Sequence, residues 1–187
     1  MRNMRIQDFD RYQELAARTL IPPDQMLIVD RQQLSLVQNT MGLVGEAGEL
    51  VETIMLEEDT TKESGDVAWY MAAIASVMQR PFSELFDADV GASLYVSQLS
   101  DGELPVMFLL AVTSFADAIK KSVFHAHGID EAKVMHDLRE IALMWYSLLI
   151  RANLYMSGIL GANIQKLMER YPDGFTPDAS VNRKDVK

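Results

Sequence analysis

Four carboxylates constrain this chain more than any other feature. Between Gly42 and Tyr70 it reads GLVGEAGELVETIMLEEDTTKESGDVAWY, with Glu46/Glu49 and Glu63/Asp66 each spaced i, i+3. On a helix that spacing puts both members of a pair on one face, about 5–6 Å apart at Cβ. A turn at Glu57-Glu58-Asp59-Thr60 makes the two helices antiparallel neighbours and lets all four acids converge. Converging carboxylates repel one another unless a cation neutralises them, and hard divalent ions that prefer oxygen ligands do so. The residues therefore point to a helical bundle with a magnesium site inside it.

The same spacing also fits a solvated helix face, and Thr60-x-x-Glu63 fits a capping box. Two features favour the metal. Gly42, Gly45, Gly48 and Gly65 fall inside apolar-periodic segments, where each costs about 1 kcal/mol relative to Ala. Close approach of other groups to those backbones would justify that cost. The acids also lie among apolar residues (Leu43, Val44, Leu50, Val51, Val67 and Trp69), not on a charged face.

The segment resembles the MazG-like family of all-α nucleoside triphosphate pyrophosphohydrolases, whose signature is ExxE followed by ExxD. Here the signature is Glu46-x-x-Glu49, then Glu63-x-x-Asp66 with Val67 and Trp69-Tyr70 behind it. The resemblance implies that these four acids bind Mg²⁺, with Mn²⁺ as a substitute. It also implies that a nucleoside triphosphate is cleaved there to the monophosphate and pyrophosphate. The family's lysine pair after the first acidic helix is missing, because Met55 and Leu56 stand in its place.

Composition narrows the setting. A chain of 187 residues, 49% hydrophobic, suits one domain or two small halves sharing a core. No apolar run reaches the roughly 18–20 residues that cross a bilayer, and the N-terminus has no apolar signal region. The absence of cysteine excludes disulfides and thiolate metal sites and fits the cytoplasm. A net charge of −10 argues against a nucleic-acid polymer as partner, since such binding rests on phosphate neutralisation. A small nucleotide remains compatible where metal or local cations reverse the field.

Apolar spacing at three and four predicts helices over residues 9–20, about 30–56, 62–79, 84–99, 103–127, 130–152 and 157–170. Ile21-Pro22-Pro23 should stop the first, Ser83 should cap the fourth, and Asp130 should cap the sixth. The apolar positions that predict the second helix are Leu34, Val37, Met41, Val44, Ala47, Val51, Ile54 and Met55. No strict alternation bounded by turns occurs, so the predicted class is all-α. The string YQELAARTL resembles the family's opening helix, which implies that Gln13 and Thr19 meet a base or sugar; both also read as ordinary exposed polar residues.

The second half repeats the plan. Trp145-Tyr146 sits mid-helix as Trp69-Tyr70 does, and pairing the two tryptophans puts Arg139 at the position of Glu63 and Ala142 at that of Asp66. Anchoring on Lys120-Lys121 puts Ala111 and Ser114 at the positions of Glu46 and Glu49. The predicted architecture is thus two fused pseudo-repeats, 1–100 with the acids and 103–187 as a degenerate copy without them. Lys120, Lys121 and His125 match the family's basic segment, and Asn163-x-x-Lys166-x-x-x-Arg170-Tyr171-Pro172-x-Gly174-Phe175 its closing motif; the tail SVNRKD also fits. This implies one composite site per chain, with Lys120, Lys121, Lys166, Arg170, Asn163 and Gln13 as substrate contacts. Each base also fits a solvated surface cation.

His125 and His127, at i, i+2, share no helix face, so no zinc site is expected. Met71, Met78, Met107, Met135, Met144, Met156 and Met168 read as core filler; Trp69 and Trp145 read as paired core residues, or as an aromatic flanking a base. Other functions fit the same residues: phosphoribosyl-ATP or nucleoside diphosphate hydrolysis, or a non-catalytic nucleotide-sensing scaffold. Nucleotide-pool housekeeping by a monomer, or by a homodimer of the fused unit, is the physiological expectation.

Overall fold

A capping box starts the longest helix. The Asp30 carboxylate accepts from the Gln33 backbone N–H at 2.7 Å, and the Gln33 side chain accepts from the Asp30 N–H at 3.0 Å. Helix α2 then runs Arg31–Met55. The computed structural model describes residues 9–20, 30–86, 96–125 and 128–181, and every regular element among them is helical. The others are α1 (Phe9–Ala17), α3 (Thr61–Val77), a 3-10 turn (Phe82–Phe86), α4 (Glu103–Phe124), α5 (Glu131–Arg151), α6 (Met156–Arg170) and α7 (Pro177–Val181).

Helices α2, α3 and α5 end alike. Glu57, Gln79 and Asn153 take left-handed backbone (φ 58°, 55° and 57°), and the next N–H reaches back to the carbonyl of Thr53, Ala75 or Leu149 at 2.9–3.0 Å. This closes the last turn and turns the chain sharply without glycine. At the α2–α3 corner the expected capping box is absent. Thr60 makes no side-chain cap; Asp59 accepts from the Thr61 N–H at 2.9 Å instead, and Glu63 is engaged elsewhere.

Helix α2 packs on both α3 and α4; α5 packs on α4, α3 and the 3-10 turn; α6 lies on α3. One buried apolar cluster joins the halves, including Leu43 and Leu50 of α2, Val67 and Met71 of α3, Phe108 and Phe115 of α4, and Leu138 and Trp145 of α5. Trp145 is wholly enclosed, and its indole N–H donates to the Ser64 carbonyl at 3.1 Å, tying α5 to α3.

Several expectations shift. Helix α2 buries Leu36, Thr40, Leu43, Ala47, Leu50 and Val51, while Leu34, Met41 and Met55 are exposed. Its two partners, α3 and α4, set the buried face, and the Leu34–Met41–Met55 row falls outside it. Trp69 is 41% exposed and Met168 67%, so neither is core, and the two tryptophans do not pair. Helix α1 ends at Ala17 in a turn to Leu20, ahead of the prolines. Phe82–Phe86 is a 3-10 turn starting directly after Pro81, with Ser83 inside it; the rest of the expected helix over 84–99 lies mostly outside the described residues. Positions 126–127 and 182–187, including His127 and most of the basic tail, also lie outside them. No described helix is long and apolar enough to cross a membrane.

Candidate metal centre

Antiparallel packing of α2 and α3 sets the site. The Gln32 side chain, at the start of α2, donates to the Val77 carbonyl at the end of α3 at 3.0 Å, which ties the two helices together in antiparallel register. Gly42 lets the pair close, because a Cβ there would collide with the Tyr70 ring. Glu46, Glu63 and Asp66 each offer a carboxylate oxygen, and these atoms lie within 4.8 Å of one another. Glu49, one turn along α2, is exposed and lies outside that group, so three acids converge and not four.

The cluster is electrostatically loaded. Burial first, then the charges of Asp66, Glu49 and Glu63, push the Glu46 carboxyl up to about 7, against a smaller opposing effect of Lys62. Glu46 Oε2 is buried without a hydrogen-bond partner. Lys62 donates to both Glu63 oxygens at 2.7 and 2.8 Å and lies 3.8 Å from Asp66 Oδ2. Burial works against its charge, but Glu63, Asp66 and Glu49 outweigh that and hold its pKa above the ordinary value.

Helix α6 completes the group from the other half. Asp66 Oδ1 accepts from Asn163 Nδ2 at 2.8 Å and from Lys166 Nζ. Gly65 permits this approach: a Cβ there would lie 2.9 Å from the Asn163 Cβ. Gly42 and Gly65 thus serve close contacts, whereas a Cβ on Gly45 or Gly48 would meet nothing within 4 Å.

A cleft of about 740 Å³ opens beside the acids. Glu46, Glu49, Lys62 and Asp66 line one side, and Arg170 contributes a further cation. Trp69, Tyr70, Tyr171 and Phe175 add aromatic surface, with Ile164 and Met168 between them. Burial and the nearby charges of Glu46 and Asp66 raise the Tyr70 pKa, so its hydroxyl stays protonated at neutral pH.

The donor set suits a hard divalent cation. It consists of carboxylate oxygens, and the orphaned Glu46 Oε2 is a buried acceptor that a cation would satisfy. A second acidic group, His136, Asp137 and Glu140, lies on one face of α5, where Lys133 holds Asp137 at 2.8–2.9 Å and His136 faces Glu140 at 3.7 Å. That group reads as an ion-paired helix surface.

The sequence-derived contacts divide. Asn163, Lys166 and Arg170 reach the site: Asn163 and Lys166 meet Asp66 without lining the cleft, and Arg170 lines it. Lys120 and Lys121 do not join it. Both bind Asp117 on α4 at 2.6 Å, which holds that carboxyl down at about 2, and neither lines the cleft. Gln13 is exposed on α1, also away from the cleft walls. In the second half Ala142 is buried in the core, and Arg139 donates to the Glu84 carbonyl at 2.9 Å and ties α5 to the 3-10 turn. Sequence reasoning missed Lys62, whose signal was its place beside Glu63 and four residues before Asp66. It offered Trp69 as one aromatic beside a base but missed Tyr70, Tyr171 and Phe175 as the rest of the wall, which is visible only once α3 and the residues after α6 face each other. No family model matches the chain, and no curated protein or solved structure matches it, so the MazG-like resemblance stands on the quoted residues alone.

Proposed function

We propose that this chain is a Mg²⁺-dependent nucleoside triphosphate pyrophosphohydrolase, converting a nucleoside or deoxynucleoside triphosphate and water to the monophosphate and pyrophosphate. One observation carries the reading: Glu46, Glu63 and Asp66 converge at the edge of a large cleft while a buried Glu46 oxygen has no hydrogen-bond partner. Holding three carboxylates together opposes folding, and a binding task explains why the chain does so.

Glu46, Glu63 and Asp66 would hold the cation, which supplies charge stabilisation to phosphate oxygens and lowers the pKa of water. Arg170 and Lys166 offer charge-assisted hydrogen bonds to polyphosphate. The aromatic faces of Trp69, Tyr70 and Tyr171 suit stacking on a nucleobase. A cleft of about 740 Å³ is of the size that holds a small-molecule ligand. In the reaction the water oxygen bonds to the α-phosphorus, the bond from that phosphorus to the bridging oxygen breaks, and pyrophosphate leaves. We assign the water's proton to Glu49, the cleft carboxylate outside the converging group.

A nucleotide panel with Mg²⁺, scored for pyrophosphate against orthophosphate, tests this. Pyrophosphate from at least one triphosphate is expected. Asp66→Asn should lower turnover by at least about 100-fold, since it weakens charge stabilisation worth several kcal/mol. Orthophosphate from a diphosphate would redirect the reading to that substrate class, and near wild-type turnover in Asp66→Asn would sink the metal assignment.

A further inference from the structure

Lys166 is the most enclosed cation of the acidic group, its side chain 19% exposed against 52% for Lys62. Its ammonium group bonds Asp66 Oδ1, the oxygen that Asn163 also holds. Lys62 covers the other flank, on Glu63 and near Asp66 Oδ2. Two ammonium groups therefore face three converging carboxylates. An enclosed ammonium on a carboxylate already supplies charge compensation, so a dication arriving at Asp66 must compete with it. Asn163 carries no charge to compete with, is buried, and is pressed against Gly65.

We propose, resting on the hydrolase reading above, that Lys166 is an exchangeable counter-cation. It neutralises Asp66 in the metal-free protein, yields that oxygen to an incoming dication, and turns to the polyphosphate in the cleft that Asp66 lines. Asn163 is the positioning residue that keeps Asp66 in place throughout. The flexible lysine stem permits the movement, and Lys166 lies one helical turn before Arg170, which lines the cleft. The consequence is positive coupling: nucleotide gives Lys166 a new partner and so frees the metal position.

Mn²⁺ titration followed by electron paramagnetic resonance tests the exchange in the absence of nucleotide. Lys166→Met should bind Mn²⁺ about 10-fold more tightly than wild type, and Lys166→Arg should stay near wild type. A non-hydrolysable nucleoside triphosphate should tighten Mn²⁺ binding to wild type and do so much less in Lys166→Met. Unchanged or weaker Mn²⁺ binding in folded Lys166→Met overturns the exchange.

A measurement on wild type covers a variant that fails to fold. Amine acetylation with peptide mass mapping should label Lys166 faster when Mg²⁺ is added, and slower again with Mg²⁺ plus the analogue. Equal labelling in all three states also overturns it. Altered binding without turnover of any nucleotide would remove the hydrolase reading and leave the exchange standing. Turnover with unaltered Mn²⁺ binding would do the reverse, and no Mn²⁺ binding by any of the proteins would remove both.

Discussion

Glu46 shows how one residue stores the tension of the site. Its carboxyl sits at about 7 in the folded chain against an ordinary 4.5. Between those values the folded protein keeps a proton that the unfolded chain has released. Stability of the metal-free protein should therefore fall as pH rises from about 4.5 to 7 and level off above. The loss is on the order of 1–2 kcal/mol, discounted for the solvent that reaches a half-buried group. Glu46→Gln should remove that slope, and in chelator at pH 8 it should melt above wild type, the difference closing near pH 4.5. A wild-type melting temperature that climbs steadily from pH 5 to 8, in parallel with the variant, would contradict the assignment.

At the scale of elements, glycines and cations divide by what faces them. Gly65 is where α6 meets α3, so Gly65→Ala should force the Asn163 contact apart and destabilise the fold by about 1–3 kcal/mol. Gly45 has open space at its Cβ, so Gly45→Ala should stabilise helix α2 by about 0.5–1 kcal/mol. Urea unfolding of the two variants checks the opposite signs. The bases follow the same logic. Arg170 lines the cleft from the end of α6, while Lys120 is held by Asp117 on α4. Arg170→Ala should raise the KM for triphosphate about 10- to 100-fold, the loss of one charge-assisted contact. Lys120→Ala should leave it within about twofold of wild type, as surface changes away from a site do. Equal losses in both would return Lys120 to the chemistry.

Across the whole molecule, the two halves share one core. Trp145 of α5 is enclosed by it and hydrogen-bonds Ser64 of α3, two residues from Asp66. Unfolding by urea should therefore be a single cooperative transition, identical by far-ultraviolet circular dichroism and by tryptophan fluorescence. Two separated transitions would mean that 1–100 and 103–187 fold as independent units. Trp145→Phe should lower the stability by about 1–3 kcal/mol and move the single midpoint downward, through the lost N–H···O bond and the space left behind.

The sequence by itself determined the helical class, the approximate spans of α2 to α6 and the acidic pairs. These depend on local periodicity, on caps such as Asp30 and on i, i+3 spacing, all carried by neighbouring residues. Asn163, Lys166 and Arg170 were marked by the closing motif they resemble, and Gly65 by its cost inside a helix, as a point of close approach. Only the tertiary structure decided which acids meet. Glu46, Glu63 and Asp66 converge, while Glu49 is exposed and lines the cleft beside them, because what a helix face meets depends on the helix packed against it. It also decided that Trp69 walls a cleft while Trp145 fills the core, although both stand in the same local context. A helix carries its own hydrogen bonds, so its sequence can specify it alone. Which face it buries depends on its partners, and those partners lie far away along the chain.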